Sequence, residues 1–256
     1  MILLALESSA ELSSVAVWKD WRILSHQLME SRFGHAERII NQVDIAIKKA
    51  KVEFSQIDFF VGGRGPGSFT GIRTCLAAIT GFSIVTNKAF YGVNGLSALG
   101  FNRYITLKKM DNYKDKTRIF TVSDTRKKSF YFQEFKKENP LSDSIFELSL
   151  KELQDKISSA ADAGRHIDIC GPFSKDFWKE KVEIETFQAV NYNTMKLNAT
   201  HIANYFAWQM ENDKQICSAT PLYLASAKIF NSKKSTKFLN NTDKSHDLYK
   251  KNNPKK

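Results

Sequence analysis

Between residues 57 and 85 the chain passes from a short apolar run through a glycine turn into a long segment almost without charge. Ile57 to Val61 reads as a strand, and Gly62-Gly63-Arg64-Gly65-Pro66-Gly67-Ser68-Phe69-Thr70-Gly71-Ile72-Arg73 reads as the turn and the start of a helix. From Gly71 to Val85 the only charged residue is Arg73. A helix apolar all round has to be covered on more than one side. One face therefore lies on a sheet, and the other meets a second lobe, a partner chain, or the centre of its own monomer. Gly71, Thr74, Ala78 and Gly81 add a stripe of small residues that lets another helix approach closely.

The glycines of the turn permit positive φ and bring several N–H groups together. Ser68 or Thr70 can cap the following helix. Unpaired N–H groups and the helix dipole make Gly63, Arg64, Gly65, Pro66, Gly67, Ser68 and Thr70 a candidate nucleotide or anion loop. A tight strand-to-helix connection that binds nothing is the other reading. No Gly-Lys-Ser/Thr closes the loop, Ser68 stands where a dinucleotide motif has its third glycine, and Pro66 and Thr70 flank Ser68 where a hydrolase elbow has glycines.

With 256 residues the chain can bury a sizeable core, as one large domain or two small lobes. Its net charge of +11 suggests nucleic acid until it is located. Lys228 to Lys256 holds nine lysines and two aspartates, so +7 sits there and +4 in everything before it. Cys75, Cys170 and Cys217 are widely spaced with no Cys-x-x-Cys, which points to free thiols in a reducing compartment and to no metal site. Met1 to Leu6 has no basic flank and stops at Glu7, and no later run reads as long enough to cross a membrane. The expectation is a cytoplasmic chain without membrane contact.

Ile2 to Leu6 is continuously apolar, as a strand buried on both faces would be. Ser14 to Lys19 and Arg22 to Met29 read as an antiparallel pair joined at Asp20. From His35, the residues Ile39, Ile40, Val43, Ile47 and Ala50 recur at helical spacing. Arg118 to Ser123, Asp124-Thr125-Arg126 and Phe130 to Phe135 then repeat the opening: strand, acid, turn, strand. Glu7 and Asp124 occupy matching places and are candidate cleft acids, with capping or turn roles equally open. Such duplication suggests two lobes built alike, drawn at 1–105 and 106–230, with a basic, disordered tail over 231–256. The tail reads as a solubilising extension, with transient RNA attachment as the alternative. Lys151 to Ala163 reads as a helix, His166 to Cys170 as a strand, and Leu197 to Met210 as a long helix that could pack back on the first lobe.

Ile2-Leu3-Leu4-Ala5-Leu6-Glu7-Ser8-Ser9, the helix from His35 and the run Gly63 to Arg73 together resemble the bacterial TsaB (YeaZ) family. Tyr91-Gly92-Val93-Asn94, Val122-Ser123-Asp124-Thr125-Arg126 and Pro221-Leu222-Tyr223-Leu224 follow in the same order, so the resemblance spans roughly residues 1–227. It implies an α/β, actin-like ATPase (ribonuclease-H-like) fold, with two similar lobes each of a mixed sheet flanked by helices. It also implies a non-catalytic subunit that binds and activates TsaD for threonylcarbamoyl transfer to the adenosine beside the tRNA anticodon. The ATPase TsaE joins that assembly, and tRNA is met through the complex. The competing reading is an independent hydrolase or peptidase-like enzyme using the inter-lobe cleft.

The chain departs from its catalytic paralogue where that enzyme has Asn-His-x-x-Gly-His. Here Gly95 and Leu99 stand at the histidine positions, and neither offers a donor atom. Glu7 replaces the family's usual Asp, Gly171-Pro172 replaces a glycine pair, and Ala225 follows Leu224 where Arg is common. The expectation is no cofactor in the isolated chain, with ATP or ADP placed, if anywhere, at the interface with TsaD. His35, Glu37 and Arg38 lack the His-Glu-x-x-His spacing of a zinc peptidase. The expected partner interface comprises His35, Arg38, Ile39, Gln42, Gly71, Arg73, Thr74, Ala78 and Gly81, and a weak homodimer is expected to use the same helices.

Overall fold

The protein is described by a computed structural model that covers residues 1–10, 12–30, 35–111, 117–135, 144–173, 177, 190–214 and 216–224. Its first half runs β1 (Ile2–Glu7), β2 (Leu12–Lys19), β3 (Arg22–Glu30), α1 (His35–Ala50), β4 (Phe59–Gly63), α2 (Phe69–Thr86), β5 (Ala89–Val93) and α3 (Gly95–Lys109). The strands pair in the order β3-β2-β1-β4-β5, antiparallel from β3 to β1 and parallel from β1 to β5. The second half runs β6 (Thr117–Asp124), β7 (Ser129–Phe135), β8 (Phe146–Ser149), α4 (Leu150–Asp162), β9 (His166–Cys170), β10 (Val190–Asn193) and α5 (Ala199–Glu211). Its sheet, β8-β7-β6-β9-β10, repeats the same pattern of directions. Two copies of this mixed sheet with flanking helices make the actin-like ATPase, ribonuclease-H-like fold.

β1 is buried on both faces because the chain has a core on each side of the first sheet. Leu3 and Ala5 point into one apolar cluster, and Leu4 and Leu6 into the other. The second cluster is closed by α1 and α2 through Ile39, Val43, Ala46, Ile72, Cys75, Leu76 and Ile79. The first joins the two sheets. It combines Trp18 and Val61 with Ile119, Phe135 and Cys170, through Leu99 and Phe101 of α3 and Ile202, Tyr205 and Phe206 of α5.

Each helix of that inner layer packs on the sheet of the other half. α3 follows β5 yet lies on β6, β7 and β9, whereas α5 follows β10 yet lies on β1, β2 and β4. Polar groups hold the exchange in register. Trp18 Nε1 donates to Asn204 Oδ1 at 3.0 Å, Ala199 N to Ser14 Oγ at 2.8 Å, and Asn204 Nδ2 to Asn102 Oδ1 at 2.9 Å. On the far side Arg103 grips Asp168 of β9 with both Nε (2.7 Å) and Nη2 (2.6 Å). Burial pushes the Asp168 carboxyl up while the guanidinium pulls it back. The same contact raises Arg103.

The lobe boundary drawn at 105/106 falls inside α3, and residues 1–224 form one compact unit. The tail at 231–256 lies outside the described residues. α2 corrects another expectation. With 18 residues and a mean hydropathy of 1.4 it is long and apolar enough, by length and composition alone, to cross a membrane. Its inner face, Ile72, Cys75, Leu76 and Ile79, instead lies on the first sheet as a core helix does.

Replacing Arg103 by Ala strands the Asp168 carboxylate, which is 1% exposed, and should cost about 3–5 kcal/mol. The double variant Arg103→Met/Asp168→Leu should recover much of that loss. Urea unfolding of the three chains checks both outcomes.

Candidate docking face and the closed glycine turn

Two strands end and a helix begins at the same place. β1 ends at Glu7, β4 at Gly63, and α2 begins at Phe69, with Ser68 as its N-cap accepting from Gly71 N at 3.2 Å. Thr70 is exposed and takes no part in the cap. The turn lies hard against residues 7–9. A Cβ on Gly71 would sit 1.8 Å from Ser8 O, and one on Gly63 would sit 1.7 Å from Glu7 Oε2. These two glycines are needed for close approach.

Within the candidate anion loop the N–H groups of Arg64 and Ser68 are already directed at the protein, as is that of Gly71 just after it. Arg64 N donates to Val93 O (2.8 Å), Ser68 N to Ser9 O (2.7 Å) and Gly71 N to its own cap. Gly65 O in turn accepts from Gly95 N at 2.9 Å, and Pro66 has no N–H to offer. Gly63, Gly65, Pro66 and Gly67 thus belong to a turn wrapped on residues 7–9, on β5 and on the start of α3.

Glu7 and Asp124 occupy equivalent ends of β1 and β6 but opposite environments. Glu7 is fully buried. One carboxylate oxygen accepts from Ser9 N (2.5 Å) and Ser9 Oγ (2.6 Å), and the other has no hydrogen-bond partner. Burial pushes its pKa up, against the pull of the Ser9 hydrogen bonds. Asp124 is exposed and accepts from Arg126 N at 2.7 Å, closing a turn. The two are therefore not a matched pair of cleft carboxylates. At the positions where the paralogue carries histidines, Leu99 is a core residue and Gly95 packs on Leu197. Among the described residues no three His, Cys, Asp or Glu gather as a metal site.

The expected interface divides by burial. Ile39 is 1% exposed inside the core, Gln42 hydrogen-bonds Ser13 through Oε1 (2.9 Å), and Gly71 is covered by Ser8. These three serve the chain's own packing, which corrects their assignment to a partner surface. The side chain of His35 lies outside the described residues. Thr74 and Ala78 are half-buried. Arg38, Arg73 and Gly81 are exposed, and a Cβ on Gly81 would meet nothing within 4 Å. Further exposed residues that composition alone did not single out are Ala77, Ile84 (76% exposed) and Val85 (84%) on α2, and Ile40 and Ile45 on α1. The signal was available. Once Ile72, Cys75, Leu76 and Ile79 are set inward, helical spacing puts Thr70, Arg73, Ala77, Gly81 and Ile84 outward.

The mixed five-stranded sheet present twice, with its flanking helices, defines the actin-like ATPase class by fold alone. A family model described as "TsaD: tRNA N6-adenosine threonylcarbamoyltransferase" matches residues 30–244, and the chain belongs to that family. Within it the chain falls with the TsaB, or YeaZ, proteins. It is 26% identical to the tRNA threonylcarbamoyladenosine biosynthesis protein TsaB of Escherichia coli over 138 residues, which cover 54% of this chain and 56% of that one. The matched stretch thus spans little more than half the length of that relative. It is also 32% identical over 111 residues to the tRNA N6-adenosine threonylcarbamoyltransferase of Kosmotoga olearia, covering 38% of this chain and 34% of the other. The solved structure of YeaZ from Pseudomonas aeruginosa shares the fold, with a TM-score of 0.65 at 20% identity over 87% of this chain and all of that one.

The Glu7 carboxyl sets a pH dependence whose sign is fixed by burial. A folded-state pKa above the ordinary 4.5 means that the folded chain holds the proton longer than the unfolded one. Any stability gained by protonation is full below the ordinary carboxylate range and is lost as pH rises through the folded-state value. Glu7→Gln keeps an acceptor for Ser9 and removes the titration. Comparing urea midpoints at about pH 5 and about pH 8, the wild type should lose ground on the variant as pH rises.

Proposed function

We propose that this chain is a non-catalytic subunit in the formation of threonylcarbamoyladenosine on tRNA, binding a TsaD-type transferase and holding it in its active form. The observation that carries the reading is the outer face of α2, where Ala77, Gly81, Ile84 and Val85 stand exposed. Large aliphatic side chains at such exposure are unfavourable in water, and a contiguous apolar face of this kind marks a protein–protein contact. Small residues in its middle admit a close helix crossing. The replacement of metal-ligand positions by Gly95 and Leu99 supports the assignment of the transfer chemistry to the partner.

In this reading a TsaE-type ATPase joins the same assembly in the cytoplasm, and tRNA is engaged by the complex. A second copy of the chain occupies the same face weakly when the transferase is absent. The closed glycine turn leaves ATP or ADP to a site completed at the interface between subunits.

Co-expression with the TsaD-type protein of the same organism, followed by measurement of the complex mass, tests the proposal. The wild-type pair should co-elute. Gly81→Arg places bulk and charge in the crossing where a side chain meets nothing of its own fold, so it should abolish co-elution while leaving the circular dichroism unchanged. Unaltered co-elution of a folded Gly81→Arg chain would refute the docking face.

A further inference from the structure

After α5 the chain returns along the edge of the first sheet and ends its described course on the N-terminal end of α2. Gly92 N donates to Cys217 O at 3.1 Å, and Leu222 N to Arg64 O at 2.8 Å, so residues 216–224 are strapped over the glycine turn. The strap delivers Tyr223 to Phe69, with rings stacked at 4.9 Å and 27°. Arg73 lies on the Phe69 ring, its Cζ 3.8 Å from the centroid, and its Nε donates to the Tyr223 hydroxyl at 3.0 Å. The cluster stays outside the core. Phe69 is 40% exposed, Tyr223 42% and Leu224 37%.

Resting on the proposed docking to a transferase subunit, we infer that this strap-built cluster is the charged end of the docking face. The partner element it receives is an apolar, small-residue helix carrying a carboxylate opposite Arg73. Charge argues for the carboxylate. α2 has no acidic residue from Phe69 to Thr86, and Arg73 is held by a ring and a hydroxyl, whereas Asp44 of the neighbouring α1 is met by Lys48 at 2.7 Å.

Shape argues for the helix. Phe69 and Tyr223 at one end and Ile84 and Val85 at the other bracket a low stretch at Ala77 and Gly81. The fifteen-residue step from position 69 to 84 spans about 22 Å. A helix seated in that saddle would meet aliphatic side chains at one end and the oriented guanidinium at the other. Stacking on a ring fixes the plane of the Arg73 fork before binding, which lowers the ordering cost of a carboxylate contact. Arginine and tyrosine are also the residue types most often dominant at protein interfaces. A stacked aromatic pair with an arginine can receive a nucleobase as well. The continuous aliphatic and small surface running away from it favours a protein helix.

The test is the affinity of the full chain for its TsaD-type partner by titration calorimetry. Tyr223→Ala and Arg73→Glu should each weaken binding about tenfold or more, while Lys127→Glu, on the β6–β7 turn, should leave it unchanged. A partner carboxylate changed to Lys should restore affinity to Arg73→Glu and not to the wild type, an outcome that a merely unfolded variant cannot produce. If the wild type binds and both variants bind as tightly, this inference falls and the docking proposal stands. If the wild type does not bind the partner at all, the docking proposal itself falls and takes this inference with it. Should the two substitutions instead abolish binding of a tRNA to the chain alone while sparing the partner, the cluster is a nucleic-acid contact and the inference is overturned.

Discussion

The architecture depends on one exchange: the helix that follows each half of the chain packs on the sheet of the other half. α3 and α5 form a shared layer whose apolar residues belong to a single cluster with strands from both sheets. Neither sheet can bury its inner face without a helix from the other half. The bidentate Arg103–Asp168 contact sits within this layer. Breaking the arrangement would leave an ionised group in a low-dielectric interior. The two repeats are therefore mutually dependent, and residues 1–224 cohere as one unit.

That coherence explains the state of the glycine turn. In isolation, a strand, a run of glycines and an uncapped helix start would present free N–H groups to an anion. Here the neighbouring segments arrive first. Val93, Ser9 and Ser68 accept from the N–H groups of Arg64, Ser68 and Gly71, and Leu222 N donates to the Arg64 carbonyl. Gly63 has no side chain because the Glu7 carboxylate occupies that space. The turn is a junction between β1, β4, β5 and α2, and the hydrogen bonds of Arg64, Gly65 and Ser68 go into joining its neighbours.

α2 shows how one uncharged helix serves two purposes. Its inner face meets the sheet through Ile72, Cys75, Leu76 and Ile79, and its outer face carries Ala77, Gly81, Ile84 and Val85 into solvent. An all-apolar stretch is a statement about total cover, and the chain's own core supplies only part of it. The rest is the physical basis for assigning a partner to this chain.

The sequence by itself determined the strands and helices with strong periodicity, the duplicated strand–acid–strand unit and the near-absence of charge in α2. These are local properties, set by side-chain spacing and turn residues. β8 and β10, four residues each, are too short to show alternation. Which helix packs on which sheet, the burial of Glu7 beside an exposed Asp124, and the inward turn of Ile39, Gln42 and Gly71 were decided only by tertiary structure. So was the meeting of Tyr223 with Phe69 and Arg73 across 150 residues of chain. Periodicity says that a helix has two sides. Only the long-range contacts of a folded chain choose which of them faces water.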